Sequence, residues 1–187
     1  SLGTASISTA GFQSFEGIVL QGHTDVGIAY EDGAWDLHVH DGTMDVEYEP
    51  DKALLFVGPQ AERTRAAGSQ FDFIGVNAGE TFWQLPHSPP HPELLLLGFG
   101  SEEIAPGTFI DDEYKLSLKA VNGPGVFSVW RSTDFGPEVF MSSEDGITEA
   151  DTFDGLTGGH ADMNWGFSAK GRYEVTVEAH GFLDDGD

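Results

Sequence analysis

Any chemistry in this chain rests on histidine and aspartate. Seven histidines are present and no cysteine, which excludes structural disulfides, thiolate zinc sites and thiol catalysis together. Three short pairs stand out: His23-Thr24-Asp25, His38-Val39-His40 and His160-Ala161-Asp162. In an extended strand, side chains two positions apart project from one face, with Cα atoms about 6.5–7 Å apart. Each pair can therefore offer two donors to one ion, and the three pairs converge if their strands are neighbours in a sheet. The competing reading is that each pair merely lines a polar, solvated strand face.

The candidate metal ligands are thus His23, Asp25, His38, His40, His160 and Asp162. Imidazole with carboxylate and no thiolate suits Zn²⁺ best, with Cu²⁺ or Mn²⁺ as alternatives set by geometry and supply. Calcium competes for the acidic stretches Asp41–Glu47 and Asp111–Glu113, although neither follows the Asp-x-Asp-x-Asp-Gly loop pattern. His87 and His91 lie in a proline-rich stretch and read as loop residues, while His180 beside Glu178 is a peripheral ligand candidate. No Gly-x-Ser-x-Gly elbow, His-Glu-x-x-His helix or phosphate loop occurs, so no enzyme activity is expected. A metal-dependent hydrolase with an open water position is the enzymatic rival.

The elements that must position these residues are strands. Alternation of apolar and polar residues is clearest in Tyr173–His180 and Tyr114–Ala120, and Gly17–Gly22, Ala53–Val57, Phe71–Gly75, Thr81–Leu85 and Val126–Trp130 are further candidates. Val26–Asp41 reads as a hairpin turning at Asp32-Gly33, one of five Asp-Gly dipeptides (32–33, 41–42, 145–146, 154–155, 185–186), some of which should close hairpins. Only Gln60–Ala67 looks helical; Leu85–Pro92 and Phe140–Gly159 read as surface connections. Closely spaced strands without intervening helices predict an all-β, antiparallel β-sandwich, jelly-roll or Ig-like, with at most one short helix. One domain over residues 1–180 is expected, followed by an acidic, linker-like tail at 181–187.

Charge narrows the partners. Thirty-two Asp and Glu against eight Lys and Arg give a net charge of -24, which repels nucleic acid and anionic membranes and concentrates cations. With 39% hydrophobic residues the chain has enough apolar surface for a packed core. No stretch approaches a membrane span, Leu94–Leu97 being the longest aliphatic run, so direct membrane insertion is not expected. An export signal and an anchor are expected outside the sequence given.

An ordered set of motifs adds a further signal: Gly22-His23-Thr24-Asp25-Val26, Phe82-Trp83-Gln84-Leu85-Pro86, Leu97-Gly98-Phe99-Gly100-Ser101-Glu102, Asn122-Gly123-Pro124-Gly125, and Gly159-His160-Ala161-Asp162-Met163-Asn164-Trp165-Gly166-Phe167 leading to Lys170-Gly171-Arg172-Tyr173. Over roughly residues 17 to 181 this set resembles the choice-of-anchor M domain, a repeat domain of actinobacterial-type surface-anchored proteins. The resemblance implies a secreted or wall-anchored, extracytoplasmic domain that captures or relays a ligand, in the family's case alongside substrate-binding proteins of metal-type ABC transporters. It places His23, Asp25 and His160 at polar motif positions. Family members often carry His-x-His before the Asn-Trp pair, where this chain has His160-Ala161-Asp162, which leaves room for a harder ion. Trp165 is expected to fill the core and Asn164 to hydrogen-bond a neighbouring loop, with Trp83 and Pro86 as packing and turn residues. The alternative to metal capture is a structural or adhesive surface module that binds a glycan or a protein partner.

Overall fold

The computed structural model describes residues 2–7 and 15–184. Among these the strands run, in chain order, β1 (Leu2–Ile7), β2 (Gly17–Val19), β3 (Gly22–Glu31), β4 (Ala34–Asp41), β5 (Val46–Tyr48), β6 (Ala53–Leu55), β7 (Glu62–Thr64), β8 (Thr81–Leu85), β9 (Leu95–Gly100), β10 (Glu113–Asn122), β11 (Phe127–Thr133), β12 (Gly136–Ser142), β13 (Thr152–Leu156), β14 (His160–Asp162), β15 (Asn164–Phe167) and β16 (Glu174–His180). Among the described residues helix is confined to short 3-10 turns at Pro59–Ala61, Ser69–Ile74 and Ile110–Asp112. No helix among the described residues is long and apolar enough to cross a membrane.

The architecture is the expected all-β sandwich. Three larger sheets have the orders β1-β16-β10-β13, β12-β11-β15-β8-β7 and β14-β9-β3-β4-β5, and β2-β6 forms a small fourth. Pairing is antiparallel except for β2 with β6 and β3 with β9. Period-2 patterning explains the faces: in β10, Tyr114, Leu116 and Leu118 are buried while Lys115 and Lys119 point outward. Phe99 of β9 stacks on Phe153 of β13 and also meets Trp165 of β15, so the large sheets close over one shared interior. Each such fully buried side chain contributes roughly 1.5–3 kcal/mol.

Three local features position the site. The β3–β4 hairpin closes with Glu31 opposite Ala34 around Asp32-Gly33, both at positive φ (51° and 80°), the geometry of a type I′ turn. Its two-residue loop fixes the register of every pair below it. The chain also changes sheets at one corner: β14 pairs with β9, and two residues later β15 pairs with β11 and β8. Met163, fully buried, sits at that corner, and both its N–H (3.2 Å) and the Trp165 indole N–H (2.8 Å) donate to the Leu97 carbonyl. Asn164 is 1% exposed and its amide oxygen accepts from Gln84 Nε2 (2.8 Å) and the His87 N–H (3.2 Å), as expected for a residue tying down a loop.

Several local expectations are corrected. Phe71–Gly75 is not a strand: the 3-10 turn there is held by the Arg65 guanidinium, which donates to the carbonyls of Gly68 and Phe71 and pairs with Asp72. Gln60–Ala67 is not a helix: one 3-10 turn leads into β7, whose partner is β8. Phe140–Gly159 is only partly a connection, because it contains the end of β12 and all of β13. Asp154-Gly155 lies within β13 rather than in a turn; Gly155 faces Tyr114 across the ladder, and a Cβ there would collide with the phenol ring. Asp185-Gly186 lies outside the described residues. Residues 182–184 are tied to the segment before β10, with Ile110 N–H donating to Phe182 O and Asp184 N–H to Thr108 O.

Candidate metal centre

The five-stranded sheet β14-β9-β3-β4-β5 carries all six candidate ligands on a single face. Its register sets Asp25 opposite His40 on one side and Gly98 on the other; Gly98 in turn faces Asp162, and His40 faces Glu47. The next row along the strands reads His38, Gly27, Gly100, His160. Directly paired residues point to the same side of a sheet, as do residues two apart on one strand. His23, two residues before Asp25, therefore joins the same face. The opposite face supplies core residues: Val26, Ile28, Leu37, Val39, Leu97 and Phe99 are all buried.

Four of the six candidates meet. His160 Nε2 lies 2.8 Å from Asp25 Oδ1 and 2.9 Å from His23 Nε2. His23 Nε2 is 3.7 Å from Asp25 Oδ2 and 3.7 Å from Asp162 Oδ1, which is 3.8 Å from His160 Nε2. The mutual separations of His23, Asp25 and His160 bracket the ~3.4 Å edge of a tetrahedron whose centre-to-ligand bonds are about 2.0–2.1 Å, and Asp162 stands beside both imidazoles. Gly98 forms the floor beneath them. A Cβ at this position would stand 2.9 Å from both Asp25 Oδ1 and the Ala161 carbonyl oxygen and 3.1 Å from Asp162 Oδ1.

Protons alone satisfy this arrangement poorly. A ring nitrogen carries either one proton or one lone pair, so His160 Nε2 cannot make two full hydrogen bonds, one to Asp25 and one with His23. If it donates to the carboxylate, His23 is left to share the same hydrogen; if it accepts from His23, its lone pair faces a carboxylate oxygen at 2.8 Å. Asp162 Oδ1 adds a buried acceptor without a hydrogen-bond partner among the described residues, a cost of about 1–3 kcal/mol when left so. A divalent cation among these groups would take up the imidazole lone pairs, and the two carboxylates would balance its charge. Nor is a fixed cation at hand: none of the eight Lys and Arg lies in β3, β4, β5, β9 or β14.

Access differs among the donors. The Asp25 side chain is 9% exposed, while those of His160, Asp162 and His23 are 27%, 31% and 45% exposed. The centre therefore has a buried anchor and an open rim, so a held ion can exchange with solvent.

The other two candidates stand apart from this quartet. His38 is buried and turns its Nε2 to Glu103 Oε1 at 3.2 Å, with Glu47 close by. His40, although opposite Asp25 in the ladder, turns toward the fully exposed Asp45, with Nε2 3.7 Å from Oδ1. His180 is no peripheral ligand of this centre: it sits on β16 in another sheet, edge-on to Phe182 with ring centroids 4.6 Å apart. Glu103 was not anticipated, because it follows the end of β9, where no strand alternation marks its direction. No family model, curated protein or solved structure matches the chain.

Proposed function

We propose that this chain is a surface domain that captures a divalent transition metal, Zn²⁺ before Cu²⁺, Mn²⁺ or Ca²⁺, at His23, Asp25, His160 and Asp162. The observation that carries the reading is the convergence of the His23 and His160 imidazole nitrogens with the Asp25 carboxylate, from β3 and β14, with Asp162 3.7 and 3.8 Å from the two nitrogens. The two nitrogens favour a borderline ion over calcium, which takes six to eight oxygens. Four protein ligands fill a tetrahedral zinc site and leave no position for an activated water, which favours binding over hydrolysis. The solvent-facing rim and the net charge of -24 suit collection of dilute cations and their release to a partner.

The resemblance to the choice-of-anchor M domain supports an extracytoplasmic setting, with a substrate-binding protein of a metal-type ABC transporter, or another surface protein, as recipient. Calorimetric titration of chelator-stripped protein with Zn²⁺, Cu²⁺, Mn²⁺ and Ca²⁺ tests the reading. Zinc is expected to bind tightly at a site abolished by His23→Ala or His160→Ala. Heats indistinguishable from dilution for all four ions would remove the proposal.

A further inference from the structure

We infer that the same sheet face holds a second, more open divalent-cation site, built from His38, Glu47 and Glu103. It uses none of the first centre's ligands and does not depend on that reading. His38 leaves β4 and lays its ring across Gly27 of β3, where a Cβ would collide with it, so the absent side chain fixes where the imidazole rests. The side chain is 8% exposed. One of its ring nitrogens, a Glu47 carboxylate oxygen from β5 and a Glu103 carboxylate oxygen from beyond β9 lie within 4.8 Å of one another, and Nε2 is 3.2 Å from Glu103 Oε1.

An ordinary ion pair does not account for this group. As an imidazolium, His38 would bury a positive charge in a side chain only 8% exposed. As a neutral ring donating from Nε2, it satisfies only one of two carboxylates. A neutral imidazole offering its Nε2 lone pair, two carboxylates and a dication sum to zero charge, with the Nε2 lone pair and both carboxylates turned to one ion. No Lys or Arg of the five strands competes for the carboxylates.

One nitrogen and two oxygens, with the Glu103 side chain 48% exposed, leave coordination positions for water. The site therefore takes a harder, partly hydrated ion than the first centre, Mn²⁺ or Zn²⁺, and holds it more weakly. The two sites share no ligand, although both rings reach over β3, His38 across Gly27 and His160 to Asp25, so the second ion would sit near the first.

Zinc titration of the chelator-stripped chain, followed by calorimetry and by metal analysis after gel filtration, tests the inference. Two equivalents are expected, the weaker one lost in His38→Ala and in the double variant Glu47→Gln/Glu103→Gln. The double variant alters only exposed side chains and covers the case in which the buried substitution disturbs folding. His160→Ala should keep the weaker equivalent, and that variant should also bind Mn²⁺, seen as loss of the free-ion electron paramagnetic resonance signal. A single equivalent that His160→Ala removes and the double variant leaves untouched would overturn this inference while sparing the first centre. Two equivalents that both survive the double variant would overturn it as well, and no binding at all would overturn both.

Discussion

His160→Ala removes the donor that lies closest to two others, 2.8 Å from Asp25 and 2.9 Å from His23. Loss of an outer-shell partner of a metal ligand costs about 10–100-fold in affinity, and loss of a direct ligand costs at least the upper end of that range. At a free zinc concentration 100 times the wild-type dissociation constant, binding stabilises the folded state by about 2.7 kcal/mol. For a domain of this size each kcal/mol raises the melting temperature by about 2–4 °C, so the wild type should gain roughly 5–11 °C. The variant, at best at its own dissociation constant under the same conditions, gains about 0.4 kcal/mol, a shift of roughly 1–2 °C. Thermal unfolding of chelator-stripped wild type and variant, each with and without zinc, reads this directly. Equal shifts in the two proteins would refute the assignment of His160, and no shift in either would refute the centre.

Further outcomes follow from the same geometry. Gly98→Ala places a methyl 2.9 Å from Asp25 Oδ1 and 3.1 Å from Asp162 Oδ1; it should cost about 1–3 kcal/mol in denaturant unfolding and weaken zinc binding, whereas unchanged affinity would argue against a floor role. Trp165→Ala empties the space between Phe99 and Phe127 and removes the indole bond to Leu97 O, so a loss of about 3–5 kcal/mol is expected in urea unfolding. Burial raises the Tyr114 phenol from its ordinary 10 to about 12. Because the folded-state value is the higher one, this stabilisation is complete below about pH 10 and is lost as pH climbs through 12, on the order of 2–3 kcal/mol in all. Tyr114→Phe should flatten that alkaline decline, and a decline of unchanged steepness would show that another group causes it.

Much of the frame could be read from residue order. Alternation in β10 and β16 and the two-residue turn at Asp32-Gly33 are local signals, and local physics decides them. The His-x-Asp and His-x-His spacings likewise showed which side chains share a strand face. Strand adjacency was not local. That His160 lands beside Asp25 depends on β9 running parallel to β3 and on β14 joining the far edge of β9, both of which are long-range choices.

The departures have the same origin. Gly155 carries a turn signal, yet its lack of a side chain serves the Tyr114 ring across the ladder. The segment Phe71–Ile74, apolar but for Asp72, forms a 3-10 turn anchored by the Arg65 guanidinium at the Gly68 and Phe71 carbonyls instead of pairing as a strand. Gly27 and Gly98, once the sheet is assembled, leave the room in which the His38 ring and the Asp25 and Asp162 carboxylates sit.

The most direct measurement is anomalous diffraction at the zinc absorption edge from crystals equilibrated with Zn²⁺. The account predicts a peak about 2.0–2.1 Å from His23 Nε2, His160 Nε2 and one oxygen each of Asp25 and Asp162. Density for these four side chains in the arrangement described, with no anomalous peak among them at saturating zinc, would contradict it.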